Sequence, residues 1–394
     1  MKSVLKIFRK FSASGSFGGL LLMGSVLISL LVANSAWGAS YAHFLTQQVG
    51  FNGAGLALKY SLLNWINDGL MAVFFLMVGL EIKRELIEGE LASFKKAALP
   101  ILAALGGVVV PATIYFVINR GTPTAVGWGI PMATDIAFAL AIITLLGKRI
   151  PAALKVFLAA LAIVDDLCAI LVIALFYSTE LHVGYLVYAG ILFALLIVFN
   201  RLGIKHLAFY LIPGLVMWYF VHHSGIHATI AGVLTALTLP TTPDDTESPL
   251  EKLEHALLKP VNFVIMPLFA LANTNIRFES GMVDGLTTTM GLGILLGLLV
   301  GKPLGISLFS WMAVKAGLGL LPTGARWRHL IGVGILGGIG FTMSVFIALL
   351  SFPDQVLISS EAKFAVLTAS VLSGLIGYIF LRIVGQEKEF SSES

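Results

Sequence analysis

The sequence predicts an all-α membrane protein of twelve transmembrane helices, two of them interrupted, and three observations lead there. Of the 394 residues 58% are hydrophobic and only 12% charged, against about 45–50% and 25% in a soluble domain, so a soluble globule is excluded. Apolar runs of more than about 18 residues recur along the chain, each able to cross a hydrocarbon core of about 30 Å as a helix. The alternating ten-residue segments of a membrane β-barrel do not occur in the sequence. A single cysteine, Cys168, excludes an internal disulfide or a cysteine-based metal cluster, and no cofactor is expected. The net charge of +4 comes from dispersed lysines and arginines, not from a basic stripe of the kind that binds nucleic acid.

The elements follow in order. Lys2, Lys6, Arg9 and Lys10 precede the first apolar run, 14–34. A basic stretch followed by an apolar run and small residues also describes a signal peptide, but it orients a retained first helix equally well, and the retained helix is the expectation. Further spans are expected at 61–82, 97–118, 123–146, 151–177, 183–200, 205–221, 225–239, 256–274, 288–314, 329–351 and 360–384. With twelve spans, one set of alternate loops and ends collects 20 of the 25 basic residues; the other keeps Lys59, Arg120, Arg277 and Lys363, and Lys302 lies inside a span. This asymmetry puts both termini in the cytoplasm. The fourth span carries Gly127-Trp128-Gly129-Ile130-Pro131 ahead of Met132-Ala133-Thr134-Asp135, and the eleventh carries Gly332, Gly334, Gly337, Gly338 and Gly340 ahead of Phe341-Thr342-Met343-Ser344. Proline removes a helical donor and glycine weakens the turn, so both spans are expected to break. Under the orientation above they run in opposite directions. Interrupted segments in matching places of opposite sense point to a transporter of inverted repeats, here about 97–177 and 288–384, within a single transmembrane domain over 1–394.

Charges inside the spans cost about 2.5–3.5 kcal/mol each at a helix centre and mark function by default. They are Asp68, Asp135, Asp165, Asp166 and Lys302. Asp165 and Asp166 are adjacent, and two carboxylates in a poorly hydrated site cannot both ionise cheaply, so they hold protons as a pair. Carboxylate oxygens also suit a hard cation, which makes the pair a place to exchange protons for Na⁺ or Li⁺. On a helix the two point about 100° apart, so one faces an ion squarely and the other stands beside it. The alternative is a buried staple between one aspartate and Lys302. Where two broken helices cross, two helix N-termini and two C-termini meet; Asp135 is expected to offset the positive ends and Lys302 the negative ends, and Thr134 offers a hydroxyl. Asp68, in the polar start of span two, reads as an extracellular funnel residue or as having no role. At the other face Glu81, Lys83, Arg84, Glu85, Glu88 and Glu90, with Asp244, Asp245, Glu247, Glu251, Glu254 and His255, form charge clusters. They read as ion-attracting, jointly titrating groups or as solvated ends. His227 is either a titrating group near neutrality or a hydrogen-bonded structural one.

The stretches Met77-Val78-Gly79-Leu80-Glu81-Ile82-Lys83-Arg84-Glu85, Pro131-Met132-Ala133-Thr134-Asp135-Ile136-Ala137-Phe138, Val164-Asp165-Asp166-Leu167, Gly301-Lys302-Pro303-Leu304-Gly305 and Gly340-Phe341-Thr342-Met343-Ser344 resemble motifs of the NhaA family of bacterial sodium/proton antiporters, in order over nearly the whole chain. The resemblance is not independent of the broken-helix pattern, since this family is one of its type cases. It implies twelve helices in the inner membrane, a homodimer, and exchange of two protons for one Na⁺ or Li⁺ at Asp165 and Asp166. It also implies a pH switch involving Glu81, Glu85, His227 and Glu254, and a β-hairpin between protomers after span one, at Ser40 to Phe51. Cys168 stands where the family is expected to have glycine, which bears on helix packing beside the site.

Three rivals are weighed against this reading. A channel needs a path open at both ends, whereas a proton-binding carboxylate pair favours stepwise exchange. An intramembrane aspartyl protease needs its aspartates on facing helices. A sodium symporter for an organic acid lacks an arginine within a span to hold the anion.

Overall fold

The computed structural model describes residues 16–53, 56–178, 180–241, 247–278, 282–353 and 355–390. Lys2, Lys6, Arg9 and Lys10, and Asp244 and Asp245 of the acidic loop, lie outside the described residues. The described chain is all-helical apart from one small hairpin, and the apolar stretches form the helices. These are α1 (Ser16–Ala33), α2 (Gly38–Thr46), α3 (62–87), α4 (Phe94–Ile118), α5 (Ile136–Leu145), α6 (Ala152–Phe176), α7 (Val183–Arg201), α8 (Ala208–His222), α9 (Ile230–Thr238), α10 (Pro249–Asn273), α11 (Thr289–Lys315), α12 (Trp327–Gly337), α13 (Phe341–Ser351) and α14 (Val356–Phe390). Six of them, α4, α6, α7, α10, α11 and α14, are individually long and apolar enough to cross a membrane; with each bent pair taken as one span the number is up to nine. Among these pairs are the two interrupted spans: the 3₁₀ segment Pro123–Met132 with α5, bent by 42°, and α12 with α13, bent by 43°. Single π-helical turns interrupt α3 at Trp65–Leu70, α10 at Val261–Ile265 and α11 at Gly297–Gly301.

Two compact units make up the chain. One comprises residues 1–20, 90–169 and 278–394, the other 21–89 and 170–277. In the first, α4 packs along α11, α11 on α12, and α14 on α12 and α13. The α4–α11 crossing is tight because glycines meet there: a Cβ on Gly106 would run into the backbone of Gly305, and one on Gly305 into that of Gly106. Small residues at such a crossing let helix backbones approach in lipid, where dispersion replaces the hydrophobic effect as the driving force. In the second unit α3 packs on α9 and α10, and α7 on α8, around Leu80, Tyr210, Met217, Ala231 and Leu253. Ser29 and Tyr41 donate hydroxyl hydrogen bonds to the carbonyl of Leu271 (2.6 and 3.0 Å), tying α1 and α2 to the end of α10.

Several expected boundaries shift: α3 runs on to Ile87 and α14 from Val356 to Phe390, and three further shifts have a local cause. The hairpin lies at 48–61, not at 40–51: Ser40 to Thr46 is helical, and Gln48 pairs with Ser61, Val49 with Tyr60, Asn52 with Ala57 and Gly53 with Leu56. Gly50, at φ +118° between the two paired segments, takes a conformation rare for other residues, and a Cβ there would run into the Leu58 carbonyl. Helix α10 starts at Pro249, well before residue 256, because Ser248 and Glu251 form a capping box, Ser248 Oγ accepting from Glu251 N at 3.3 Å and Glu251 Oε2 from Ser248 N at 2.8 Å. Helix α9 starts at Ile230, not 225. The polar residues before it bond locally, Ser224 Oγ donating to the Val221 carbonyl at 2.7 Å and His227 Nδ1 meeting Thr229 Oγ1 at 2.9 Å.

Candidate functional site: buried carboxylates at a crossing of broken helices

The first unit contains the crossing and the charges around it. After the 3₁₀ segment the chain runs extended through Ala133 and Asp135, and on the partner span residues 338–340 separate α12 from α13. The two breaks are joined by the amide of Asp135, which donates to the Ile339 carbonyl at 2.6 Å. The Asp135 carboxylate then serves both half-helices that begin here. Its Oδ1 accepts from the amide of Phe138 in α5 at 3.2 Å, and its Oδ2 accepts from the amide and hydroxyl of Thr342 in α13 at 3.1 and 2.6 Å. A carboxylate at two helix N-termini satisfies orphan amides and opposes the positive ends of two helix dipoles.

At the C-terminal ends the carbonyls find hydroxyls. Ser344 Oγ donates to the Ile130 carbonyl at 2.6 Å, and Thr134 Oγ1 lies 2.9 Å from the Gly337 carbonyl. The Thr134 hydroxyl also lies 2.6 Å from Asp165 Oδ2. Lys302, the first residue after the π-helical turn of α11, donates from its ammonium to that same Asp165 oxygen. Both side chains of this ion pair are fully buried. Lys302 thus meets Asp165, the partner of the staple alternative, while hydroxyls occupy the helix ends it was expected to face. Asp165 Oδ1 is buried without a hydrogen-bond partner among the described residues. Asp166 is 4% exposed beside it. Cys168, a helical turn away, is partly buried.

Thr342 and Ser344 also belong to the crossing, through Asp135 and the Ile130 carbonyl, and carry no charge to mark them in the sequence. The available signal was their position, hydroxyl residues in the first turn of a helix restarting after a break.

In the second unit the structure brings Glu81, Glu85 and Glu254 into one cluster. Arg84 Nε donates to both Glu254 oxygens at 3.1 and 2.9 Å, and its Nη1 reaches Glu85 Oε1 at 2.9 Å. Glu81 interacts electrostatically with Arg84, Glu85 and Glu254. Lys83 donates to the carbonyls of Leu237 and Leu239 at the end of α9. His227 lies with another group: its Nε2 is 3.3 Å from Asp68 Oδ1, and His222 Nδ1 is 3.8 Å from Asp68 Oδ2. Asp68, left open between a funnel role and none, is therefore a histidine partner.

Two interrupted helices tied at a buried carboxylate, with an aspartate–lysine pair and a second aspartate beside them in a multi-span helical protein, are the features of a membrane transporter. Comparison with known proteins narrows the class. The sequence profile of the family described as Na⁺/H⁺ antiporter 1 matches residues 9–381. A protein named Na(+)/H(+) antiporter NhaA 2 from Flavobacterium johnsoniae is 65% identical over 386 residues, covering 98% of this chain and 94% of that protein. The Na(+)/H(+) antiporter NhaA of Brucella ovis is 49% identical over 390 residues, 98% of this chain and 97% of its own. That of Syntrophobacter fumaroxidans is 45% identical over 431 aligned positions, covering 97% and 91%. The chain belongs to the NhaA family of Na⁺/H⁺ antiporters.

Proposed function

We propose that this protein is an electrogenic antiporter of a bacterial inner membrane, exporting one Na⁺ or Li⁺ for two protons taken in at Asp165 and Asp166. The observation that carries this reading is the adjacent, buried pair of carboxylates, one of which is tied to the ammonium of Lys302. Two carboxylates that each take a proton in one state and jointly hold a monovalent cation in the other move one net charge per cycle. Asp165 Oδ2 is already taken by Lys302 and Thr134, so a cation loads through Asp165 Oδ1 and Asp166 or displaces the ammonium. Lys302 compensates charge and Thr134 orients Asp165, whereas Asp135 assembles the crossing through the amides it accepts.

In the same reading the chain has twelve spans with both termini cytoplasmic, and the segments 97–177 and 288–384 are inverted repeats. Glu81, Glu85 and Glu254, linked through Arg84, and His227, against Asp68, are the groups through which pH sets activity. A homodimer forms through the hairpin at 48–61, where Val49 and Phe51 are about half exposed.

Everted membrane vesicles test the proposal. Addition of Na⁺ or Li⁺ should collapse a respiration-driven pH gradient and K⁺ should not. A gradient left intact by Na⁺ at every pH between 6 and 9 would refute it.

A further inference from the structure

In the first unit a cavity of about 690 Å³ opens where the start of α4, the first half of α6 up to Ala160 and the loop after α11 come together. Its volume falls in the range of pockets that hold a drug-sized ligand, enough for a headgroup and part of an acyl chain. Its lining mixes two kinds of side chain: Lys95 and Lys96, in the first turn of α4, with Glu90, and the apolar Leu99, Pro100, Val156, Phe157, Leu318 and Leu320. Glu90 Oε1 lies 3.8 Å from Lys96 Nζ, an exposed pair worth little, and Lys95 has no ion-pair partner among the described residues. Nothing acidic occupies the first turn of α4, so the local charge is positive where the helix dipole is positive too.

The walls indicate what covers them. Leu320 is 85% exposed, and Leu318 and Val156 are each nearly half exposed. The segment Gly317–Thr323 holds three leucines and no charge, a composition that suits contact with hydrocarbon. Just before it, Lys315 lies over the ring of the exposed Trp311, 4.7 Å from the centroid. Tryptophan and lysine at a helix end mark the headgroup level of a bilayer. A cavity lined by two ammonium groups and apolar side chains, close in sequence to a tryptophan–lysine pair, suits the boundary between headgroup and hydrocarbon.

We propose that this cavity binds one anionic phospholipid of the surrounding membrane, its phosphate on Lys95 and Lys96 and an acyl chain along Val156, Phe157 and Leu320. The fit is one of charge and polarity. A zwitterionic lipid brings its own cation toward the lysines, and a free phosphate ion leaves the apolar walls uncovered. Each lysine near an anionic headgroup contributes enough that two correspond to about a thirtyfold difference in affinity.

The test is retention of lipid by the full-length protein in detergent, followed by native mass spectrometry during titration with phosphatidylglycerol, with phosphatidylcholine and with inorganic phosphate. Wild type should keep one more phosphatidylglycerol than K95Q/K96Q, with about thirtyfold tighter binding of that molecule. Leu320→Asp, an exposed change that adds repulsion and removes an apolar wall, should weaken the same molecule at least tenfold. It serves as the second variant if the double lysine substitution fails to fold. Equal retention of phosphatidylglycerol by wild type and both variants would overturn the proposal. So would equal retention of phosphatidylcholine, or displacement of the bound lipid by millimolar phosphate, which would identify a simple anion site.

Discussion

Neutralising Lys302 should destabilise this protein severely, and neutralising Asp165 at the same time should restore it. Both side chains of the pair are 0% exposed. Breaking such a pair from one side leaves a charge without its partner, at a cost of about 3–5 kcal/mol, whereas replacing both partners with neutral groups of similar size is close to neutral or stabilising. After Lys302→Met the Asp165 carboxylate keeps the Thr134 hydroxyl at 2.6 Å as its hydrogen-bond partner, too little to compensate a full charge. The expected loss is therefore about 3–5 kcal/mol at neutral pH. It should shrink on acidification, as Asp165 takes up a proton and ceases to be an unpaired anion. Asp165→Asn alone leaves the ammonium stranded and should cost a similar amount, while the double variant should lie within about 1 kcal/mol of wild type. The coupling energy is then several kcal/mol, against about 0.3–0.5 for independent sites. Denaturant unfolding of the purified protein in one detergent, for all four members of the cycle, measures it. If both single variants unfold within about 0.5 kcal/mol of wild type, or if the double variant loses the sum of the two, the pair is not a compensated buried charge. Lys302→Arg keeps the charge and should retain most of the stability; a stable Lys302→Arg variant whose exchange no longer moves charge would transfer one transported proton from the aspartates to Lys302.

Asp166→Asn should abolish Na⁺-driven proton release in everted vesicles while leaving the unfolding free energy within about 1 kcal/mol of wild type, a typical single-substitution effect; wild-type exchange at saturating Na⁺ would end the paired-carboxylate mechanism. Exchange of two protons for one Na⁺ moves one charge, worth about 2.3 kcal/mol per 100 mV, so an interior-negative potassium diffusion potential should drive Na⁺ export without a pH gradient, and exchange indifferent to that potential would be electroneutral. Asp135→Ala removes the acceptor for the first-turn amides of α5 and α13 and should cost about 2 kcal/mol as two lost caps; Asp135→Asn, which keeps one acceptor oxygen, should cost about half as much in the same unfolding assay. Gly106→Val should destabilise by at least about 1–3 kcal/mol through overpacking against Gly305, and a variant as stable as wild type would mean that the α4–α11 crossing is looser than described.

Much of the molecule could be read from local properties of the chain. A helix that crosses lipid needs length and apolarity, which a window of residues displays by itself, and the two breaks are written as Gly127, Gly129 and Pro131 and as the glycine run before Phe341. The cost of charge in lipid singled out Asp135, Asp165, Asp166 and Lys302 without any knowledge of packing. The hairpin that the resemblance implied at 40–51 lies later because Ser40 to Thr46 is helical, and strands only two residues long leave almost no periodic signal to place them; the early start of α10 was missed, although Ser248-Pro249-Leu250-Glu251 spells a capping box, because the polar turn it opens falls outside the apolar window.

Tertiary structure alone decided which groups meet. Asp165 and Asp166 are neighbours in sequence and equivalent in composition, and only the rotation of α6 against α11 determines that Asp165 is the one to receive Lys302, 137 residues further on. The same holds for Asp135, whose second set of donors comes from Thr342, 207 residues away, and for Glu254, brought to Arg84 by the packing of α10 on α3. A helix turns about 100° per residue, so an error of one position in register points a side chain at a different neighbour. Hydropathy averages over that rotation and retains the span; the contact survives only in the packed structure.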